Sequence, residues 1–249
     1  MFYNGSNHPF RGWFFVDKKA QKMYTIRNTS NSERSMKLVT FLLVRHGFSK
    51  GNKEKRFSGQ MNLPLDDAGL AQAESVSKYI SENFKVDSIY SSDLSRAYDT
   101  VLPLANKLNI AIQKDKNLRE VDVGLWQGKL IDEVKKEFPE TFEKYRVNPG
   151  LSRFDGGESY LDAMERGIKT IQKIAKENDG KTIVIATHGG IIRTLRAAWT
   201  NTTPENIKDI PHVPNASVTI AEYDNGNVTL KLVGHTDHLE DKTTEEGVK

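Results

Sequence analysis

The stretch TIVIA, residues 182–186, is apolar at nearly every position instead of at alternate ones. A strand with that pattern is covered on both faces, as strands inside a parallel sheet are. A second run of the same kind, FLLV within residues 37–44, opens a strand far earlier in the chain. Parallel neighbours cannot be joined by a tight turn and need crossover segments between them, so helices must fill the sequence around these two strands.

The periodicity supplies them. Asp66-Asp67 precedes a stretch with Leu70, Ala73, Val76, Ile80 and Phe84 on one face, the pattern of an N-capped amphipathic helix. Residues 86–90 form a strand, Asp93 is placed to cap the next helix to about Lys107, and residues 110–113 form a weaker strand. Residues 130–146 read as helix with a break at Pro139, and residues 159–178 as a long helix with Leu161, Met164, Ile168, Ile171 and Ile174 inward. A helix over residues 191–199 follows TIVIA, and the strands 217–223 and 227–233 flank Asn225-Gly226, a type I′ hairpin signal. The succession predicts an α/β fold, a three-layer α/β/α sandwich with a mostly parallel central sheet and an antiparallel edge strand. Residues 36–234 make one domain. Residues 1–35, polar and Asn- and Ser-rich, are a flexible extension, a small hairpin or a consequence of start-site choice, and residues 235–249 form a charged tail expected to fray.

The chain has no cysteine, which excludes disulfides, thiolate nucleophiles and Cys-ligated metal centres. A formal charge of +3 is too small to argue for nucleic acid, no run of about 18 apolar residues is long enough for a membrane span, and residues 1–16 do not read as a signal peptide. A cytoplasmic location is expected. Arg45, Lys50, Lys53, Lys55 and Arg56 cluster after the first strand, as an anion-attracting field or as a solvated loop.

Ligands in open α/β sheets bind at the carboxyl ends of the strands, and two strands here end in the same way: LLVRHG with His46, and VIATHGG with His188. Two imidazoles in one pocket suit a metal, which needs further protein ligands, or covalent catalysis on phosphorus with cations around the phosphoryl oxygens. The second option asks for arginines and a proton donor. Arg96 stands in the first turn after a strand end, and Glu120 lies in a glycine-bounded turn ahead of Gly124-Leu125-Trp126-Gln127-Gly128.

Arg45-His46-Gly47, Asn52, residues 92–96, Glu120 with its glycine turn, Gly156-Gly157-Glu158-Ser159 and Thr187-His188-Gly189-Gly190 occur in one order from about residue 36 to residue 233. In these pieces the chain resembles the histidine phosphatase superfamily, the phosphoglycerate mutases and their phosphatase relatives. The resemblance implies that His46 is the nucleophile that becomes phosphorylated. It also implies that Arg45, Arg96, His188 and Gly189 bind the phosphoryl group with help from Asn52, and that Glu120 is the proton donor and then the base. Ser58, Gly59 and Gln60 fall in the segment 53–62, which with residues 135–154 should set substrate choice. Phe57, Met61, Phe138, Phe142, Tyr145 and Phe154 offer an apolar wall there, although the helical spacing of Phe138, Phe142 and Tyr145 is equally that of core residues.

Glu120 and His188 stand 68 positions apart, a short interval that resembles the phosphatases more than the mutases, whose longer segment closes over the site. The expected activity is a metal-independent phosphomonoesterase on small phosphorylated metabolites. A cofactor-dependent phosphoglycerate mutase is the alternative, and a non-catalytic binding module is a third reading that the complete residue set disfavours. No cofactor or metal is expected. The partner is a small phosphorylated substrate rather than nucleic acid or membrane, with a homodimer left open.

Overall fold

The computed structural model describes residues 37–240 and the backbone of two short strands at 14–16 and 23–25. The chain divides into two compact units, Met1–Ser35 and Met36–Lys249. In the first, β1 (Phe14–Val16) pairs antiparallel with β2 (Met23–Thr25). The remaining residues of the expected extension, and residues 241–249 of the expected tail, lie outside the described ones.

The second unit runs β3 (Val39–Arg45), α1 (Lys50–Lys53), α2 (Asp67–Asn83), β4 (Ser88–Ser91), α3 (Ser95–Leu108), β5 (Ile112–Lys114), α4 (Ile131–Glu137) and α5 (Pro139–Val147), then α6 (Tyr160–Glu177), β6 (Thr182–Thr187), α7 (Gly189–Trp199), β7 (Val218–Asp224) and β8 (Asn227–His235). Its strands form one sheet in the order β5-β4-β6-β3-β7-β8. β6 pairs parallel with both β3 and β4, and β4 parallel with β5, whereas β7 is antiparallel to β3 and β8 to β7. Both turn residues of the β7–β8 hairpin take positive φ, Asn225 at 47° and Gly226 at 92°, as a type I′ turn requires.

Alternation along each strand divides the core into two layers. Val39, Phe41 and Leu43 of β3, with Ile183 and Ile185 of β6, pack with Met164 and Ile171 of α6 and Ile191 and Leu195 of α7. Leu42 and Val44, with Val184 and Ala186, pack with Val76 and Ile80 of α2 and Val101 and Leu104 of α3. The sheet is therefore sandwiched between helices, and the apolar runs of β3 and β6 are read by both layers.

Some local expectations are corrected. Leu70 is 53% exposed instead of facing inward, because the buried stripe of α2 runs through Gln72, Ala73, Val76, Ser77 and Ile80. Asp93 does not cap α3: Leu94 holds the N-cap position without a side-chain cap, and both Asp93 carboxylate oxygens bind Arg119 at 2.6 Å. The chain also stays packed past His235, since Leu239 is buried and His238 stacks on Tyr79 with ring centroids 4.9 Å apart.

The N-terminus of α2 rests directly on the loop after β3. A Cβ on Gly69 would stand 2.0 Å from the Phe48 carbonyl oxygen, and one on Gly47 would stand 2.8 Å from the Gly69 carbonyl oxygen. Neither backbone can give way without moving residues 46–48. Gly69→Ala is expected to lower stability by about 1–3 kcal/mol through overpacking, and, by displacing the loop, to lower activity as well. Denaturant midpoints and steady-state rates check this; a variant with wild-type stability would count against the close packing.

Candidate active site

Parallel pairing of β3 with β6 brings two strand ends level, with Arg45 opposite Thr187. The next residue of each chain segment is a histidine. The His46 amide donates to the Thr187 carbonyl at 3.0 Å, and the two imidazole centroids lie 5.2 Å apart. Both rings are buried, His46 at 4% and His188 at 0% exposure.

Hydrogen bonding fixes how the His46 ring is presented. Nδ1 of His46 lies 2.8 Å from the Gly47 carbonyl oxygen, an acceptor only, so Nδ1 carries the proton and Nε2 the lone pair. Nε2 of His188 lies 2.9 Å from Ser92 Oγ, while its Nδ1 is buried and meets no hydrogen-bonding partner among the described residues. A buried polar atom of this kind calls for a hydrogen-bonding partner. Burial, and then the positive charges of Arg96 and Arg45, hold the His46 imidazole well below its ordinary pKa. His188 is lowered in the same way, by burial, then Arg96, His46 and Arg45. Both rings are therefore neutral at pH 7, one with a free lone pair.

The two arginines are fixed by backbone carbonyls. Arg45 donates through NH1 to the Val213 carbonyl at 2.7 Å. Arg96, 1% exposed, donates to the carbonyls of Met61 at 2.7 Å and Gly59 at 2.8 Å. Arg96 is thus an interior group and not a charge on the surface of α3. Asn52 closes a capping box with Ser49 and accepts from Asn215 Nδ2 at 3.3 Å, and Asn215 also holds the His46 carbonyl at 3.1 Å. Ser58 packs against Gly51, where a Cβ would stand 2.0 Å from its Oγ. Gln60 donates through Nε2 to the Glu120 carbonyl at 3.2 Å. Gly59 and Gln60 therefore connect the Arg96 side of the site to the Glu120 side. By contrast Lys50, Lys53 and Lys55 are exposed, and Arg56 binds Glu54 and the Gly128 carbonyl, so the basic cluster apart from Arg45 is mostly a solvated loop.

The Glu120 carboxylate is held by two amides, Val121 N at 2.9 Å and Gly190 N at 3.1 Å. Gly190 must lack a side chain, since a Cβ there would stand 2.4 Å from Glu120 Oε1. Gly189 opens α7 beside Arg45, whose Nε would be 3.1 Å from an added Cβ. Arg45 and Arg96 thus both bear on His46 and His188 beside the start of α7, a concentration of positive charge suited to a tetrahedral oxyanion.

The sequence reading missed several residues. Arg166 of α6 donates to the carbonyls of Asn117 at 2.6 Å and Arg119 at 2.9 Å and pairs with Glu158, which accepts from the Asp122 amide at 2.9 Å. This clamp, with Asp93–Arg119, shapes the irregular segment that carries Glu120. A signal was available in Glu158, which belongs to a quoted motif; Arg166 on a helix face gave none. His212 and Arg193 were also missed. The wall residues Phe57, Phe138, Phe142, Tyr145 and Phe154 gather around Trp126, which is 0% exposed, with Phe57 and Phe154 centroids 5.0 Å from it. Their main role is core packing, the reading the helical spacing shared, while Met61 is 38% exposed. Among the described residues, no three His, Asp or Glu side chains converge as metal ligands.

Known proteins resemble this chain in sequence and in fold. A family model described as histidine phosphatase superfamily (branch 1) matches residues 41–236. Phosphoglycerate mutase-like protein 4 of Arabidopsis thaliana is 32% identical over 203 residues, covering 80% of this chain and 86% of that protein. Phosphoserine phosphatase 1 of Hydrogenobacter thermophilus is 32% identical over 161 residues, 65% of this chain and 76% of that protein. Among solved structures, Bacillus stearothermophilus YhfR superposes with a TM-score of 0.78 at 33% identity, covering 81% of this chain and all of that one (100%).

The lowered histidine pKa values make stability depend on pH in a definite direction. Above about pH 6.5 imidazoles are neutral in the folded and unfolded chain, and stability is fully present. As the pH falls below that value, the unfolded chain takes up protons that His46 and His188 refuse, and stability declines by up to about 1.4 kcal/mol per pH unit for each ring. Urea midpoints measured between pH 7.5 and 5.5 should fall with pH, and less steeply in His46→Asn; a flat profile would contradict the buried neutral rings.

Proposed function

This chain belongs to the histidine phosphatase superfamily, branch 1, and we propose that it is a metal-independent phosphomonoesterase acting on small phosphorylated metabolites through a phosphohistidine intermediate. The observation that carries the reading is the pinned tautomer of His46: the Gly47 carbonyl takes Nδ1–H, so Nε2 presents a lone pair among Arg45, Arg96 and His188.

Nε2 of His46 attacks phosphorus in line with the ester oxygen, and the P–O bond to the leaving group breaks. Arg45, Arg96 and the His188 Nδ1–H hold the phosphoryl oxygens, with the α7 amide of Gly189 beside them and Asn52, Ser58, Gly59 and Gln60 framing the pocket. Glu120 gives its proton to the departing alkoxide. In the second half the Glu120 carboxylate takes a proton from water as its oxygen attacks phosphorus, the P–N bond breaks, and phosphate leaves with His46 restored. Charge neutralisation of a loose phosphoryl transfer requires fixed cations, not a metal in particular, and the two buried arginines are such cations. The relative named a phosphoserine phosphatase supports hydrolysis of a small phosphate ester.

Four measurements test the proposal together. Hydrolysis of p-nitrophenyl phosphate should persist with EDTA and drop at least about a thousandfold in His46→Ala; EDTA-sensitive turnover would point to a metal enzyme. Acid-labile, base-stable radiolabel on wild-type protein, absent from His46→Ala, is expected after quenching with a labelled substrate. Glu120→Gln should slow alkyl phosphates by about a hundred- to ten-thousandfold but p-nitrophenyl phosphate much less, because nitrophenolate leaves without a proton. With 3-phosphoglycerate and its bisphosphate, interconversion faster than phosphate release would replace the phosphatase reading with the mutase one.

A further inference from the structure

The segment between α7 and β7 carries His212 to the mouth of the pocket, where it is accessible to solvent while His46 and His188 are buried. Arginines anchor this segment on both sides of the ring. Arg196 donates to the Pro211 carbonyl at 2.7 Å, and Arg45 to the Val213 carbonyl at 2.7 Å. A third, Arg193, donates through NH1 to His212 Nε2 at 3.1 Å, and its own NH2 is fixed by the carbonyls of Ile207 at 2.9 Å and Lys208 at 3.1 Å.

An arginine N–H can only donate, so His212 Nε2 must accept and the ring proton sits on Nδ1. Crowding by surrounding protein atoms, and then the charges of Arg193, Arg45 and Arg196, lower the His212 pKa from its ordinary value to about 3, even though one edge of the ring reaches solvent. Nδ1–H faces the recess above Gly189: a Cβ on that glycine would stand 3.3 Å from His212 Nδ1 and 3.1 Å from Arg45 Nε. With no side chain at Gly189, His212 Nδ1 and Arg45 Nε border the same recess.

We propose that His212 is a substrate-binding residue whose Nδ1–H donates a hydrogen bond to a carboxylate on the leaving group, placed beside the phosphoryl group held by Arg45. The inference rests on the phosphatase reading. The floor of the pocket holds the buried histidines that serve phosphorus, so a group at the mouth meets the part of the substrate that projects outward. Three arginines around one imidazole make that place electropositive, and an anionic oxygen is the acceptor that suits it. The donor is rigid in backbone and ring, so little ordering is required on binding.

Matched pairs differing in the carboxylate test this: phosphoserine against phosphoethanolamine, and 3-phosphoglycerate against glycerol 3-phosphate. Affinities are measured by calorimetry in the full chain bearing His46→Ala, which removes turnover, with His212 intact or changed to Gln or Asn. His212→Gln puts its amide near the Nε2 position, where it satisfies Arg193 but leaves no donor at Nδ1; His212→Asn keeps a donor near Nδ1. The carboxylate member of at least one pair should bind about ten- to a hundredfold more tightly with His212 intact. That preference should vanish in His212→Gln and survive in His212→Asn, with unchanged circular dichroism in both. No preference with His212 intact, an equal preference in His212→Gln, or loss in both variants would overturn the proposal. Turnover of p-nitrophenyl phosphate by the wild-type enzyme is scored separately, so failure of the phosphatase reading is seen independently.

Discussion

The parallel pairing of β3 with β6 is the constraint from which the site follows. Six residue pairs in register, Thr40 with Thr182 through Arg45 with Thr187, bring both strands to their carboxyl ends at the same level. Because side chains alternate across the sheet, a slip of one residue would exchange the two core layers. Leu42 and Val44 would then face α6 and α7 in place of α2 and α3. Burial on both faces penalises that exchange, so the requirement that packs the core also sets His46 beside His188. His46 is positioned by two strands in the middle of the sheet.

Arginine bonds to backbone carbonyls shape what the sheet does not reach. Arg45 holds Val213, Arg96 holds Gly59 and Met61, Arg166 holds Asn117 and Arg119, and Arg193 holds Ile207 and Lys208. Each of these carbonyls belongs to a segment with little or no regular structure, whose polar groups need partners once buried. A guanidinium has several donors in one plane and always keeps its charge. It can therefore fix an irregular loop with some of its N–H groups while its charge still acts on the pocket. In Arg45 and Arg96 the two duties coincide: both also lower the His46 pKa.

The two sides of the pocket differ in construction. One is the aromatic cluster around Trp126, where Phe57, Phe142, Tyr145 and Phe154 meet largely edge to face or tilted. The other is the polar segment with His212, held by Arg45, Arg193 and Arg196. Glu120 is reached from a third direction through the amides of Val121 and Gly190. The two histidines thus sit at the strand ends of the sheet, and the walls around them come from loops, the segments in which binding residues usually vary.

Much of this was legible in the sequence. Apolar runs without alternation gave a parallel sheet covered on both faces, and the two His-Gly endings with Arg96 and Glu120 gave the chemical groups, because period and residue type are local properties. Asp93, Leu70 and residues 236–239 were misread because their partners, Arg119, the outer face of α2 and Tyr79, are set by tertiary contact and not by neighbours in the chain. His212, Arg193 and Arg166 left no periodic or motif signal, since their roles depend on carbonyls and rings brought near only by folding. The sequence by itself determined the sheet, its strand ends and the residue types delivered there. Tertiary structure decided which nitrogen of His212 is protonated, which side chain meets His188, how the arginines divide between loop and pocket, and what lines the mouth, because hydrogen-bond partners distant along the chain exist only once the chain is folded.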